Sequence, residues 1–371
     1  MNIAHVITTI DRGGAEQQLL TLVREQLSVN ESVNVYVLKG SMSLLEEFKI
    51  LGAVVENLSS EPFGMRQILR LRRALKTLSP DVVHAHLPRA EILTRLALIK
   101  TSYPFIISRH NIEQFLPSNN FNISSMLSRF ITRRARFVIA ISNSVASFLL
   151  SQNEISQRSN LECVYYGYHK DLGEFKVTKS NVQLNSESHN VFIGTIARLV
   201  PQKDLFTLLS AFKFVVSGFA DSKLVIVGDG WQKEELMHYA KFLGVNEQTS
   251  FMPSTQSRLE ILHSLDVFVL TSKYEGFGLV LLEAMQANIP IVASRNTAIA
   301  EVMGEDYIGL FTTGSSKDCS EKILYWLKAS QENKEKLYKD YSYKLSRFDP
   351  SKMAKRIQDL YIIARGSSKA S

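Results

Sequence analysis

Short apolar runs alternate with amphipathic stretches along the first half of the chain, and this pattern predicts a parallel α/β domain. The stretch Gly64–Leu78 is typical of the predicted helices, because Ile68, Leu71, Leu75 and Leu78 recur at helical spacing. The predicted strands are Ile3–Ile10, Val33–Leu38, Ala53–Leu58, the runs ending at His86 and at Asn111, the run FVIAIS, and NLECVYYGYH.

The alternation stops in a polar stretch rich in serine and asparagine, Lys170 to Asn190, and restarts at Val191. A chain of 371 residues is also too long for one ordinary core. We therefore expect an α/β protein with two Rossmann-like parallel-sheet domains that face each other across a cleft. The predicted boundaries are 1–168 for the N-terminal domain, 169–190 for the linker, 191–347 for the C-terminal domain and 348–371 for a last helical segment.

One stretch of the second half, DVFVLTSKYEGFGLVLLEAM from Asp266 to Met285, combines a buried strand, a glycine-bearing loop and a helix rich in leucine. Backbone N–H groups converge at such a corner and favour an anion. Two carboxylates flank it, Glu275 in the loop and Glu283 in the helix. The stretch therefore predicts a phosphate site whose acidic residues contact sugar hydroxyls.

Other predicted strand ends carry groups of matching chemistry. Arg198 and Lys203 follow one strand, and two such cations suit a diphosphate. Gly228 and Gly230 follow the next strand, where missing side chains allow a ligand to approach the backbone. Any one of these residues by itself is more often a surface charge or a turn glycine. Their occurrence at successive strand ends favours a ligand site.

The first predicted strand runs through Gly13 and Gly14 into a helix, which is typical of a phosphate-binding turn and also of a simple tight turn. Neither a G-x-G-x-x-G fingerprint nor a P-loop sequence occurs. His86 and His110 end two strands, where polar side chains of a doubly wound sheet face the ligand. We interpret His110 as functional, because imidazole titrates near neutral pH, and His84 as structural.

Composition narrows the class of protein. With 45% hydrophobic and 21% charged residues the chain is typical of a globular protein, and no run reaches the length of a membrane span. The first residues lack the charged region of a signal peptide. Cys163 and Cys319 share no motif, so we expect a reduced, cytoplasmic setting. No cluster with metal-ligand spacing is visible, and we predict neither a metal nor a cofactor.

Basic residues are concentrated in one segment. Between Glu61 and Ala140 there are 13 basic and 4 acidic residues, a local net charge of +9 within a chain of +7. Such a face is usually solvated surface, but this excess favours an anionic acceptor or the inner face of the cell membrane. Nucleic acid is the rival partner, and we find no recognition motif for it. The residues predicted to meet a membrane are Arg66, Arg70, Arg73, Lys76, Arg129 and Arg133.

Taken together, GGAE, RLVPQKD, VGDG and EGFGLVLLEAM resemble, in this order, the motifs of the retaining glycosyltransferases of GT-B fold, family four (group 1). The resemblance covers nearly the whole chain. It implies an N-terminal domain that binds the acceptor, a C-terminal domain that binds a nucleotide sugar, and a last helix that returns to the N-terminal domain. We expect the nucleotide sugar to be UDP-linked. The implied reaction is metal-independent, retains the anomeric configuration and serves cell-surface polysaccharide biosynthesis.

The resemblance also assigns roles. Arg198 and Lys203 would hold the donor diphosphate, Glu275 the sugar hydroxyls, and Glu283 the ribose. His110 would face the sugar near its anomeric carbon. The remaining donor contacts implied are Gly13, Gly14, Gly228, Gly230, Gly276, Phe277, Gly278, Leu279 and Val280.

Two stretches depart from the family pattern. Tyr166-Gly167-Tyr168-His169 stands where N-G-V-D is common, and Arg295 to Ala300 replace a glycine-rich turn before Glu301. These departures concern the contacts to base and sugar. Two alternatives to an active transferase are a non-catalytic partner subunit of the same fold and a sugar-nucleotide epimerase.

Overall fold

Every strand in the described part of the chain runs parallel to its neighbours in the sheet. The computed structural model describes residues 1–59, 64–115, 121–155, 160–169, 190–254 and 258–366. It divides into two units, Met1–His169 with Phe348–Ser371 and Lys170–Arg347. Most of the predicted linker, residues 170–189, lies outside the described residues.

In the first unit, strands and helices alternate along the chain. The strands are β1 Asn2–Ile7, β2 Ser32–Val37, β3 Val54–Asn57, β4 Val82–His86, β5 Phe105–Arg109, β6 Phe137–Ala140 and β7 Leu161–Cys163. The helices are α1 Gly14–Ser28, α2 Leu45–Ile50, α3 Met65–Leu78, α4 Pro88–Ala97, α5 Phe121–Thr132, α6 Asn143–Ser151 and, after the second unit, α14 Pro350–Gly366.

The strands of the first unit are ordered β3-β2-β1-β4-β5-β6-β7. Strands β1 to β3 therefore extend the sheet to one side, and β4 to β7 extend it to the other. Ile3, Val82 and Ile106 on one face pack in a core with Ile357 and Tyr361 of α14. The final helix therefore completes the core of the first unit. Since β1 and β4 pair with His5 opposite His84 and Ile7 opposite His86, the register also stacks polar side chains across the middle of the sheet.

The second unit repeats the architecture with a smaller sheet. Its strands are β8 Val191–Ile196, β9 Ser222–Val227, β10 Thr249–Met252, β11 Val267–Leu270, β12 Ile291–Ser294 and β13 Leu310–Phe311, ordered β10-β9-β8-β11-β12-β13. Its helices are α7 Leu205–Gly218, α8 Lys233–Leu243, α9 Arg258–Ser264, α10 Leu279–Gln286, α11 Thr297–Met303, α12 Ser316–Lys328 and α13 Gln331–Ser346.

Both units are Rossmann-like, so the predicted fold class of two parallel-sheet α/β domains is confirmed. The apolar runs locate these strands well because residues such as Val269 and Val292 are buried on both faces of a parallel sheet. The helix predicted from about Lys203 begins at Leu205, and a short 3₁₀ turn, Pro201–Lys203, precedes it.

Candidate functional site

Three adjacent strands of the second unit present their carboxyl ends at one edge of the sheet. β9, β8 and β11 are neighbours and parallel, so the loops after Val227, Ile196 and Leu270 lie side by side. Ligands of open α/β sheets bind at this edge. The loop after β8 carries Arg198 and Lys203, and the loop after β11 carries Glu275.

The ion pair between Lys203 and Glu275 joins two of these loops. The Nζ of Lys203 lies 2.5 Å from Oε1 of Glu275, and the two side chains are only 14% and 9% exposed. Ser272 donates a hydrogen bond of 2.6 Å from Oγ to the same carboxylate oxygen. The Oγ1 of Thr271 donates to the carbonyl of Lys203 at 2.8 Å, which holds the backbone of the two loops together. The predicted cation and carboxylate therefore form one rigid group.

Arg198 is an exposed cation at this edge. Its Nη2 donates to Oε1 of Gln202 at 3.2 Å, and the amide of Gln202 donates to the carbonyl of Tyr274 at 3.0 Å. Because Gln202 precedes Lys203, the guanidinium and the ammonium belong to one loop tied to the Glu275 loop. The structure thus places Arg198, Lys203 and Glu275 in the same neighbourhood.

Gly228 and Gly230 are required by the close packing of neighbouring backbone. A Cβ at Gly228, where φ is +146°, would lie 1.9 Å from the carbonyl oxygen of Ala197, and a Cβ at Gly230 would lie 2.2 Å from that of Leu199. The amide of Leu199 in turn donates to the carbonyl of Asp229 at 2.9 Å. These glycines let the β9 loop pack against the β8 loop that carries Arg198. Their predicted contact with a donor stays a prediction.

The loop after Glu275 ends in a left-handed residue that starts α10. Gly278 has φ 89° and ψ 55°, a conformation that favours glycine, and Leu279 is the first helical residue. Phe277 is 2% exposed and anchors the turn, so its side chain belongs to the core. The first-turn amides, including those of Leu279 and Val280, have no intrahelical acceptor and carry the positive end of the helix dipole. These amides and that of Gly276 are the groups predicted to bind an anion, and this role stays a prediction.

Glu283 lies one turn into α10 and pairs with Arg258 of α9. The Nη1 of Arg258 lies 3.0 Å from Oε1 of Glu283. Burial raises the pKa of this carboxyl, although the charge of Arg258 and its hydrogen bond act in the opposite direction. The other oxygen, Oε2, is buried and has no hydrogen-bond partner in the described structure. A buried carboxylate oxygen without a donor suits a ligand hydroxyl.

The stretch that departs from the family pattern, Arg295 to Glu301, forms the start of α11. Asn296 caps this helix through Oδ1, which accepts from the amide of Ile299 at 3.1 Å. The Nδ2 of Asn296 donates to the carbonyl of Ser272 at 3.1 Å. An asparagine cap thus holds the β11 loop where the family commonly has glycines.

The glycine pair of the first unit borders a folded-back acidic side chain. Gly13 is the N-cap of α1, and a Cβ there would lie 2.3 Å from Oε2 of Glu16. Thr9 donates to Oε1 of Glu16 at 2.6 Å. Gly13 is therefore needed to seat the Glu16 carboxylate over the start of α1, a feature that the sequence reasoning missed.

Buried imidazoles cross the first sheet in a hydrogen-bonded row. His5 contacts Gln26 at 2.9 Å and His86 at 3.0 Å, His86 contacts His110 at 3.3 Å, and His110 contacts the hydroxyl of Tyr166 at 2.5 Å. We call Gln26, His5, His86, His110 and Tyr166 the histidine chain. Both ring nitrogens of His110 are engaged within it.

Burial keeps these rings neutral at physiological pH. It lowers the pKa of His5 to about 4 and that of His110 to about 3, where the neighbouring Arg109 adds to the effect. Burial raises the pKa of the Tyr166 hydroxyl well above its usual value, and the charge of Glu16 acts in the same direction. Glu16 and His110 therefore belong to one region of the first unit.

His84 lies beside the chain and bonds Tyr361 at 2.6 Å and Ser108 at 2.8 Å. Ligand nitrogens of His5, His84 and His86 lie within 4.8 Å of one another, the distance range of a possible metal site. The sequence reasoning predicted no metal cluster, because His5 is far from His84 and His86 in sequence. Only the pairing of β1 with β4 brings His5 to the other two.

Arg109, at the end of β5, points into the protein. Its guanidinium bonds Glu91 at 2.8 Å and Glu154 at 2.8 Å, and all three side chains are at most 7% exposed. Burial raises the pKa of Glu91 to about 7 in spite of the arginine charge. This ion-pair group stabilises the end of the strand from which His110 projects.

The basic residues predicted for a membrane lie on α3 and at the end of α5. Arg66, Arg73, Lys76, Arg129 and Arg133 are exposed, whereas Arg70 is partly covered and pairs with Glu56 at 3.8 Å. Beside the arginines of α5, apolar side chains also face solvent, with exposed fractions of 56% for Ile123, 73% for Met126 and 47% for Phe130. In the described part of the chain, no helix has both the length and the apolar character of a membrane span.

Two family models match the chain. Residues 12–170 match the model described as Glycosyltransferase Family 4, and residues 176–345 match that described as Glycosyl transferases group 1. The first match spans the loop with Gly13 and the histidine at position 110. The second spans the loops with Arg198, Lys203, Glu275 and Glu283.

Individual relatives are distant. The sulfoquinovosyl transferase of Arabidopsis thaliana is 26% identical over 71% of this chain, and the match spans about half, 52%, of that protein. The UDP-Gal:α-D-GlcNAc-diphosphoundecaprenol α-1,3-galactosyltransferase of Escherichia coli is 25% identical over 62% of each chain. The fold is similar to that of HepE from Anabaena, solved with UDP and glucose, with a TM-score of 0.84, 19% identity and coverage of 97% and 98%.

Proposed function

This chain belongs to the group 1 glycosyltransferases of GT-B fold, and we propose that it transfers a sugar from a UDP-linked donor to a hydroxyl of a glycan or lipid-linked acceptor, with retention of the anomeric configuration. The observation that carries the proposal is the group formed by Arg198, Lys203 and Glu275 beside the start of α10. The UDP donor is supported by the E. coli relative and by the ligand of the Anabaena protein.

The leaving group is an anion, and the sheet edge with Arg198 and Lys203 is suited to bind it. Breaking the bond between a sugar and a nucleoside diphosphate develops negative charge on the β-phosphate. Fixed cations and helix-start amides stabilise that charge most strongly in the transition state. Lys203 is suited to this because Glu275 and the loop contacts hold its ammonium in one place. Arg198 adds a second, exposed cation, so the proposed reaction draws its positive charge from side chains and uses neither a metal nor a cofactor.

Glu283 is the proposed ribose contact. Its unpaired buried oxygen accepts a hydrogen bond from a ribose hydroxyl, and Arg258 holds the other oxygen in place. The carboxylate lies one turn below the anion corner on α10, so one helix addresses both the phosphate and the ribose.

Retention is proposed from the family resemblance, and the surroundings of Glu275 bear on the route by which it is reached. A double displacement needs a carboxylate that is available to attack the anomeric carbon, yet Glu275 is ion-paired with Lys203 and accepts from Ser272. In the proposed reaction Glu275 instead accepts hydrogen bonds from sugar hydroxyls. The acceptor attacks from the face that the phosphate leaves, and the donor phosphate takes its proton.

The acceptor is proposed to be presented at the inner face of the cell membrane in cell-surface polysaccharide biosynthesis. Exposed Ile123, Met126 and Phe130 lie among Arg129 and Arg133, a composition that suits the interface of an anionic bilayer. A chain bound there through α5 reaches lipid-linked acceptors without a spanning helix.

A donor screen tests the proposed activity. The purified chain is incubated with a panel of nucleotide sugars and with glycan and lipid-diphosphate acceptors, and products are identified by mass spectrometry. We expect a glycosylated acceptor with a UDP-sugar, and an α-linked product from an α-linked donor. Donor conversion that needs no acceptor would indicate an epimerase, and the absence of turnover by a folded protein that binds UDP would indicate a partner subunit.

Vesicle flotation tests the membrane surface separately. We expect the wild type to float with anionic vesicles at low salt and less with neutral ones. Met126→Ser and Arg133→Glu should reduce recovery, whereas Phe214→Ser and Lys213→Glu, on an exposed part of α7, should not. Equal recovery with neutral and anionic vesicles would contradict the membrane proposal.

A further inference from the structure

With the Gln26 amide oriented as in the structure, the histidine chain has one consistent proton arrangement. Gln26 presents Oε1 to Nε2 of His5, and an amide oxygen can only accept, so Nε2 of His5 carries a proton. In a neutral ring the other nitrogen, Nδ1, is then an acceptor, and it must receive the proton on Nε2 of His86.

The same rule continues along the chain. Nδ1 of His86 is an acceptor and receives the Nε2 proton of His110. Nδ1 of His110 is then an acceptor as well, and it receives the hydroxyl proton of Tyr166. One oxygen on α1 thus fixes the tautomer of three imidazoles that lie on β1, on β4 and just after β5.

The Gln26 amide is oriented with Nε2 facing the hydroxyl of Tyr361 at 3.5 Å and Oε1 facing Nε2 of His5 at 2.9 Å. The Tyr361 hydroxyl is 2.6 Å from Nδ1 of His84, and Nε2 of His84 is 2.8 Å from Ser108. Both ring nitrogens of His84 therefore have a hydrogen-bond partner.

A metal ion at His5, His84 and His86 is the competing use of these rings. It is disfavoured because both nitrogens of each ring already have a hydrogen-bond partner, and the three side chains are 0%, 0% and 2% exposed. A metal ligand would have to abandon one of these partners in a closed interior. Hydrogen-bond accounting therefore favours a chain of neutral imidazoles.

One end of the chain lies at a small pocket. His110 follows the carboxyl end of β5, and His86, His110 and Tyr166 line this pocket together with Ile139 and Ile141. The other end, Gln26, is 5% exposed and lies within the second half of α1. The chain thus connects an interior amide to the residue predicted to face the sugar.

We propose that Gln26, His5 and His86 are positioning residues that hold the His110 ring in its neutral Nε2–H tautomer and in a single orientation. The catalytic part of this inference rests on the proposed function and on the place near the anomeric carbon that the family resemblance implies for His110. The tautomers themselves do not depend on it.

Gln26→Met and Gln26→Glu form the matched pair for the test. Methionine has a similar length but no oxygen, so the Nε2 proton of His5 loses its acceptor. A buried N–H group without an acceptor is rarer than an acceptor without a donor. Moving the proton of each imidazole from Nε2 to Nδ1 leaves Nε2 of His5 as an acceptor and so removes the unpaired N–H group. His110 then carries Nδ1–H in at least part of the population. Glutamate keeps an accepting oxygen at the same reach, so the original tautomers persist.

The experiment uses the full chain with ¹³C,¹⁵N-labelled histidine. Ring ¹⁵N and ¹³Cδ2 shifts at pH 7.5 should show neutral Nε2–H tautomers for His5, His86 and His110 in the wild type. Gln26→Met should lose this signature at His110 and lower kcat about fivefold, the scale of one hydrogen bond, with KM for the donor little changed. Gln26→Glu should restore the signature and most of kcat.

Ser108→Ala controls for general loss of stability, because it removes a buried partner of His84 outside the chain; its His110 tautomer should match the wild type. An Nδ1–H or charged His110 in the wild type, or metal-shifted signals, would overturn the proposed chain. If His110 changes its tautomer in Gln26→Met as expected but kcat stays at the wild-type value, the positioning role would be overturned. Correct tautomers in a protein without transferase activity would contradict the proposed function instead.

Discussion

Lys203 and Glu275 bind each other: Nζ of the lysine lies 2.5 Å from Oε1 of the glutamate, and both side chains are largely buried. They come from loops after two adjacent strands, so their pairing depends on the sheet order and not on sequence proximity. The pair holds a cation at the edge where the amides of α10 converge. A donor phosphate would thus meet a charge that is already in place, which lowers the cost of reorganisation during transfer.

Glu283→Gln should weaken donor binding more than it slows turnover. The neutral amide keeps the shape but loses the charge-assisted hydrogen bond to the ribose and the ion pair with Arg258. We expect KM for the donor to rise about tenfold, roughly 1.4 kcal/mol, with kcat within about twofold. Steady-state kinetics with Glu234→Gln, an exposed site on α8, gives the control. A fall in kcat at unchanged KM would contradict the ribose assignment.

Stability should fall as the pH drops below about 6. The folded-state pKa values of His5 and His110, about 4 and about 3, lie below the unfolded value of 6.5, and those of His84 and His86 are also lowered by burial. Between the folded-state pKa values and 6.5, the unfolded chain therefore binds more protons than the folded chain. The stabilisation that is present above pH 6.5 is lost as the pH falls.

Protonation of Glu91 stabilises the folded chain as the pH falls, because burial raises its pKa to about 7. This one carboxyl opposes the four buried histidines. Urea unfolding of the first unit, followed at pH 7.5 and at pH 5.5, should show a clear loss at the lower pH. Replacing His238, which is exposed on α8, by asparagine should leave this loss unchanged. Equal stability at the two pH values would show that the buried rings are not kept neutral.

Gly228→Ala should destabilise the second unit by about 3 kcal/mol or more, because the new methyl group meets a backbone carbonyl at 1.9 Å in a conformation that side chains rarely adopt. Gly218→Ala is the matched control. It lies in the last turn of α7 and would make only an ordinary contact of 3.8 Å with Leu324, so we expect no loss. Thermal or urea unfolding measures the change in the free energy of unfolding for both variants. Equal changes in the two would show that the loops after β8 and β9 do not pack as closely as described.

Arg109→Met should destabilise the first unit by about 3–5 kcal/mol, because it leaves Glu91 and Glu154 buried without a positive partner. The loss should be smaller at pH 6 than at pH 8, since Glu91 takes up a proton near pH 7. Arg73→Met, on the exposed face of α3, should leave the free energy of unfolding within about 0.5 kcal/mol of the wild type. A pH-independent effect would contradict the role assigned to Glu91.

Most element positions could be predicted because buried parallel strands are continuous apolar runs and the helices between them are amphipathic. The sequence could also place Lys203 and Glu275 at strand ends. It could not show that they bind each other, since that depends on which strands are neighbours. The same holds for His5 and His84, which meet only through the register of β1 with β4.

Contacts between residues that are distant in sequence were also out of reach. A Cβ at Gly228 or Gly230 would meet the backbone of Ala197 or Leu199, so these glycines are needed for the packing of two loops, and their predicted contact with a donor stays a prediction. Arg109 ends a strand next to His110, but its charge is satisfied inside the protein by Glu154, far along the chain. In both cases a contact that is distant in sequence determines what the residue does.

The most direct test of the account is the rate of sugar transfer by Lys203→Met relative to the wild type, with the donor and acceptor found in the screen. Loss of the fixed cation should lower kcat by about 10²–10³, the scale of one electrostatic contact to the developing charge, while the variant stays folded. Lys213→Met, on the exposed face of α7, should transfer at the wild-type rate. Transfer by Lys203→Met within about threefold of the wild type would contradict the proposed site.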